Sequence, residues 1–135
     1  MCKFSEQAAS IMERAKMEAE DHEHPYITAE DILLAILAER SCSAYVCIAS
    51  LTSNFGAIET EIEKRLKRIR DGNVKNPVFV GAQTVLRFAE KESKNNKREM
   101  IVTDDLLCAI LASPESHACR LLSKHNLSLK VFRAF

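Results

Sequence analysis

Tryptophan is absent from this 135-residue chain, and glycine and proline occur only three times each. Aromatic residues make up 6% of it. A sheet protein with many tight turns draws on glycine and proline for its turns and on β-branched and aromatic residues for its strands. Those shortages, with Ala, Leu, Ile, Glu and Lys plentiful, predict helices, and the expected class is all-α. Neither sign of charge is in excess: Lys plus Arg and Asp plus Glu number 19 each, for a formal net charge of zero. Without a basic surplus the chain as a whole has no electrostatic pull toward nucleic acid or an anionic membrane. No apolar run approaches the ~20 residues that span a bilayer. The opening MCKFSEQAAS lacks the apolar core of a signal peptide, so a cytoplasmic protein is expected.

Motifs that carry chemistry are missing as well. There is no G-x-x-x-x-G-K-[ST] phosphate loop, no G-x-S-x-G and no H-E-x-x-H. The chain is therefore expected to be a binding module and not an enzyme, with no cofactor. Its five cysteines, Cys2, Cys42, Cys47, Cys108 and Cys119, contain no C-x-x-C pair. Cys108 and Cys119 fall on apolar helical positions, where a reduced thiol packs as a small hydrophobe. His22 and His24 stand two apart, a spacing that does not share a helical face, and no metal site is expected there.

What the sequence does contain, it contains twice. ITAEDILLAIL at 27–37 returns as IVTDDLLCAIL at 101–111, an offset of 74 residues. At that offset Ala8 falls on Ala82, Ala15 on Ala89, Glu18 on Glu92, Asp31 on Asp105 and Ala44 on Ala118, with no gap from 8 to 58. Such a register marks a tandem duplication. Each copy reads as four helices. The first carries apolar residues at helical spacing after Ser5, and its counterpart carries Val85, Leu86 and Ala89. The second helix opens on Thr28 or Ala29 with Glu30 and Asp31 in copy one, and on Thr103 with Asp104 and Asp105 in copy two. First-turn carboxylates suit the free N–H groups and positive dipole end of a helix. Short third helices are expected near 44–49 and 117–123, and fourth helices from about Asn54 and Ser128. The predicted organisation is a single domain over 1–135, with repeat one at 4–70, a linker at 71–77 and repeat two at 78–135.

Phe4-Ser5-Glu6-Gln7-Ala8 and the block from Glu23 to Leu37 resemble the N-terminal double Clp repeat of the Clp family of AAA+ unfoldases. Met100 to Leu107 holds the same register in copy two, and the resemblance covers nearly the whole chain. Departures are visible: Thr28 and Val102 replace a family glycine, Ala29 replaces a family threonine that survives as Thr103, and Asp31 and Asp105 replace a histidine. Val78-Phe79-Val80-Gly81-Ala82 also lacks the hydroxyl that Ser5 supplies in copy one.

The resemblance implies eight helices as two pseudo-twofold copies of a four-helix Clp repeat. It further implies a module that recognises substrate and adaptor proteins for a Clp ATPase ring and its peptidase. Some family members bind phosphoarginine through the opening threonine and the first-turn glutamate of each copy. Carried over, the ligand- or adaptor-binding candidates are Ser5, Glu30, Asp31, Thr103 and Asp104, with Phe79 standing where copy two needs a hydroxyl. The alternative is a free-standing double-repeat protein acting as adaptor or regulator without its own ATPase. Two other classes are weighed: a nucleic-acid binder working through the basic stretch 64–70, and a thiol enzyme. Zero net charge opposes the first, and no local signature supports the second.

Overall fold

A computed structural model describes residues 3–52, 54–75 and 79–134. Cys2 and much of the expected linker boundary, at 76–78, lie outside the described residues. The elements run β1 (Lys3–Phe4), α1 (Glu6–Asp21), α2 (Ala29–Ala38), α3 (Ser43–Leu51), α4 (Phe55–Arg70), α5 (Ala82–Asn95), β2 (Met100–Ile101), α6 (Thr103–Leu111), α7 (His117–Lys124) and α8 (Leu129–Ala134). The eight expected helices form. Two two-residue strands, which helical periodicity does not reveal, join them.

The duplicated run becomes the spine of the fold. Every residue from Ala29 to Leu37 in α2 is buried, as are Thr103 and 105–111 in α6. A helix apolar on nearly all sides must be surrounded. Here α2 packs on α1 and α6 on α5 most extensively, and both enter one core with Ile11, Ile48, Ile58, Ile62, Leu66, Val85 and Leu122.

The copies are joined crosswise. β1 from the start of copy one pairs in parallel with β2 of copy two, Lys3 opposite Met100 and Phe4 opposite Ile101. The Ser5 amide then donates to the Ile101 carbonyl at 2.9 Å. At the other junction Thr28 and Gly81 form an antiparallel bridge. The Ala29 amide donates to Val80, and the Ala82 amide to Ile27, both at 2.8 Å. Each first helix therefore begins beside the second helix of the opposite copy.

The loops leading into α2 and α6 are also matched. Glu23 and Lys97, equivalent at the offset of 74, both take left-handed backbone, φ 58° and 57°. Each follows a helix C-terminus, where the turn is closed by the His24 amide on the Ala19 carbonyl and by the Arg98 amide on that of Ser93. This reversal aims residues 24 and 98 back toward the next helix.

Candidate functional site

The starts of α2 and α6 are built from the same plan with different side chains. Thr28 caps α2: its Oγ1 accepts from the Asp31 amide at 3.4 Å, while Asp31 Oδ2 accepts from the Thr28 amide at 2.9 Å. This reciprocal box satisfies two helix-end donors at once. Asp31 Oδ2 also accepts from the Thr28 hydroxyl at 2.9 Å and lies 2.9 Å from His24 Nδ1. In α6 the cap residue is Val102, which has no hydroxyl, so only half the box remains: Asp105 Oδ2 accepts from the Val102 amide at 2.9 Å. Arg98 compensates with a two-pronged pair to Asp105, Nη2 to Oδ1 at 2.8 Å and Nη1 to Oδ2. His24 and Arg98 are thus equivalent positions serving equivalent acids.

The next residues reach across the repeat boundary. Glu30 is 1% exposed, and its Oε1 accepts from the Ala118 amide at 3.3 Å, in the first turn of α7. Burial pushes the Glu30 carboxyl above its ordinary range, against backbone and Thr28 hydrogen bonds that favour its charge; nearby Asp31 adds to the rise. Glu30 Oε2 and Asp31 Oδ1 are buried with no partner among the described residues. The reverse contact uses other residues. Thr103 Oγ1 accepts from the Ala44 amide at 3.2 Å in the first turn of α3, and the Ser43 hydroxyl donates to Asp104 Oδ1 at 2.8 Å. Ala44 and Ala118 are equivalent by the 74-residue offset, but one takes its acceptor from a threonine and the other from a glutamate.

The five candidate residues therefore divide. Asp31, Glu30 and Thr103 are buried, and Asp104 and Ser5 keep part of their surface. Ser5 Oγ caps α1 by accepting from the Ala8 amide at 3.1 Å. Because Ser5 is tied to Ile101, its backbone sits beside the copy-two acids, while the side-chain-free cap Gly81 sits beside Ile27 and Thr28. Grouping the candidates by repeat is not their grouping at the backbone.

Sequence reasoning weighed His24 only as a metal ligand and passed over Arg98 and Ser43. A signal existed for two of them: a basic residue seven positions before the buried acid occurs in both copies. It also passed over a half-buried cluster special to copy two. Cys108 Sγ donates to Glu92 Oε2 at 3.0 Å, and Arg133 Nη2 donates to the same oxygen at 3.2 Å. Burial, then the Glu92 hydrogen bond, pushes the Cys108 thiol up to about 12. Around this cluster Glu92, Asn96, Arg98, Asp104, Asp105, Phe132 and Arg133 line an open cleft of about 380 Å³. A second cleft, about 460 Å³, lies at the other junction between Tyr26, Ile27 and the first residues of α5, Gly81 to Thr84. Tyr26 and Met100, equivalent by the offset, are 52% and 47% exposed, one at each junction.

Residues 3–125 match the Clp repeat (R) N-terminal domain family. The chain is 33% identical over 116 residues to the chaperone protein ClpB of Chlamydia pneumoniae, covering 84% of this chain and 13% of that protein. It is 26% identical over 136 residues to the ClpA homolog, an ATP-dependent Clp protease ATP-binding subunit, of Cyanidium caldarium, covering 98% and 16%. Its fold is that of the Hsp104 N-terminal domain from Candida albicans, with a TM-score of 0.75 at 16% identity over 98% of this chain and 87% of that one. The chain thus spans a small fraction of the curated relatives it matches.

Proposed function

The chain belongs to the Clp repeat (R) N-terminal domain family, and from that membership we propose that it recognises substrate and adaptor proteins for a Clp-type ATP-dependent unfoldase. The supporting observation is the pair Tyr26 and Met100, exposed apolar side chains at equivalent places on the two junctions. A water-facing tyrosine beside an apolar cleft, with polar residues around it, has the anatomy of a small protein-docking site. No P-loop occurs in these residues, so in this reading ATP hydrolysis and a peptidase are supplied elsewhere in the assembly. The second reading, a free-standing adaptor, is distinguished by whether a Walker A motif follows within the same gene.

The finer form of the proposal is a charged ligand of the phosphoarginine kind at the helix starts. A carboxylate can pair with its guanidinium, and a hydroxyl with helix-start N–H groups can take its phosphate. Ser5 Oγ, the unpartnered Glu30 Oε2 and the accessible Asp104 carboxylate are the groups that support it. The α5 cap is Gly81, two residues after the expected Phe79, and neither residue offers a hydroxyl, which favours binding on one side only.

The test has two arms. Captured partners are compared for the native chain, Tyr26→Ala with Met100→Ala, and Glu30→Ala with Asp104→Ala. Recognition predicts that the first pair abolishes capture while helicity is kept. Titration with phosphoarginine tests the finer form: amides around Ser5 and Glu30 that do not move would reject it.

A further inference from the structure

The seam between α4 and α7 gathers positive charge that, among the described residues, is only partly paired, by Glu61. On α7, His117, Arg120 and Lys124 follow one another at helical spacing, and Lys124 reaches Glu61 of α4. Glu61 of α4 lies 3.7 Å from both Lys124 and His125, fixing the register of the two helices. Arg65, one turn further along α4, is thereby brought to the α7 start. Arg65, Arg120 and Lys124 all act on His117, with Glu61 partly offsetting them. Burial and these cations together push that imidazole down to about 4. Among the described residues the Arg120 guanidinium reaches only backbone carbonyls, of Glu115 at 3.0 Å and of Ser116 at 3.5 Å. Among the described residues neither Arg65 nor Arg120 has a carboxylate within ion-pair distance.

The pseudo-twofold supplies an internal comparison. Where α7 carries His117, Arg120 and Lys124, the equivalent positions of α3 carry Ser43, Val46 and Ser50. A packing requirement shared by the copies would have kept the same character on both sides. The charge is present on one side alone, and it faces water: Arg120 and Lys124 are exposed and Arg65 half-buried.

The geometry points to the α4–α7 seam, with Arg65, Arg120 and Lys124 around His117, as a docking surface for an acidic polypeptide segment. Carboxylates of such a segment meet two guanidiniums, each able to present paired N–H donors, and a neutral imidazole that donates one more hydrogen bond. Acidic polypeptide is favoured over nucleic acid because the cluster is compact, contains Glu61, and sits on a chain with no net charge to draw a polyanion from a distance. This names the partner chemistry of one surface and rests on the recognition reading above.

The test titrates the 135-residue chain with a Glu/Asp-rich peptide, a Lys-rich peptide of equal length and a single-stranded DNA oligonucleotide. Backbone amides and imidazole resonances are followed by NMR. The acidic peptide is expected to move amides at 61–65 and 117–125, to raise the His117 titration from about 4, and to weaken with added salt. Arg65→Gln with Arg120→Gln, checked for native helicity, is expected to weaken it about ten-fold. Unmoved amides, undiminished binding by the double variant, or preference for DNA overturns the proposal. Capture that survives the double variant but fails in Tyr26→Ala with Met100→Ala rejects this surface and leaves recognition standing. Capture insensitive to both the junction variant and the double variant rejects the recognition reading itself.

Discussion

Glu30 and Ala118, 88 residues apart, are held together across the repeat boundary by a carboxylate oxygen 3.3 Å from a helix-start amide. The cap stabilises α7, yet it keeps an acid under burial with its second oxygen unpartnered. The consequence for pH has a definite sign. Glu30 has a folded-state pKa above its ordinary 4.5, so the folded chain binds the proton more tightly than the unfolded one. Its contribution is most favourable below that ordinary value and declines as pH rises through the raised one. Glu30→Gln keeps an oxygen for Ala118 and removes the charge. Denaturant midpoints between about pH 4 and 8 should show the variant gaining on the native chain as pH rises.

The His24–Asp31 and Arg98–Asp105 pairs should differ in strength. Arg98 makes two hydrogen bonds to an acid that is 1% exposed, with no cap hydroxyl to help it. Arg98→Ala should cost about 2 kcal/mol, below the range for a fully buried pair because the arginine is itself one-third exposed. His24→Ala should cost about 1 kcal/mol, since the Thr28 amide and hydroxyl still serve Asp31. Equilibrium urea unfolding of the two variants checks the order.

Lys97 is an exposed residue in left-handed backbone, a conformation that glycine adopts without the Cβ penalty. Lys97→Gly should stabilise by about 1 kcal/mol, whereas Lys91→Gly, at an exposed interior position of α5, should destabilise by about as much. Opposite shifts in melting temperature are the expected outcome.

Gly81 caps α5 with extended backbone, φ −76° and ψ 162°, and no side-chain hydrogen bond. A Cβ there would rest 3.6 Å from the Tyr26 ring, an ordinary contact. Gly81→Ser should therefore supply the missing hydroxyl cap and stabilise by a few tenths of a kcal/mol. If helix-start hydroxyls also hold a phosphate, the same variant should acquire a phosphoarginine response at the second junction.

Cys42, Cys47, Cys108 and Cys119 are all buried, and burial pushes Cys47 up to about 11 and Cys108 to about 12. In a Cys2→Ser variant, thiol labelling at neutral pH should be slow until the chain is unfolded. A single fast-labelling thiol would revive the thiol-enzyme alternative.

The duplication, the helix class and the buried spine were legible in the sequence because each rests on local order. An offset of 74 residues aligns Ile27 with Ile101, and a run such as ILLAIL can be accommodated only by a helix with neighbours all round. The carboxylates at 30, 31, 104 and 105 were likewise legible as helix-start residues. Their partners were not. That Glu30 caps α7 while Thr103 caps α3, that Ser5 lies beside Ile101, and that Arg65 comes to His117 are consequences of crossing the two copies. Periodicity records which face of a helix is buried and not which distant helix start faces it. Only the tertiary packing decided that, by leaving first-turn N–H groups to be satisfied by whatever acceptor the other copy placed within reach.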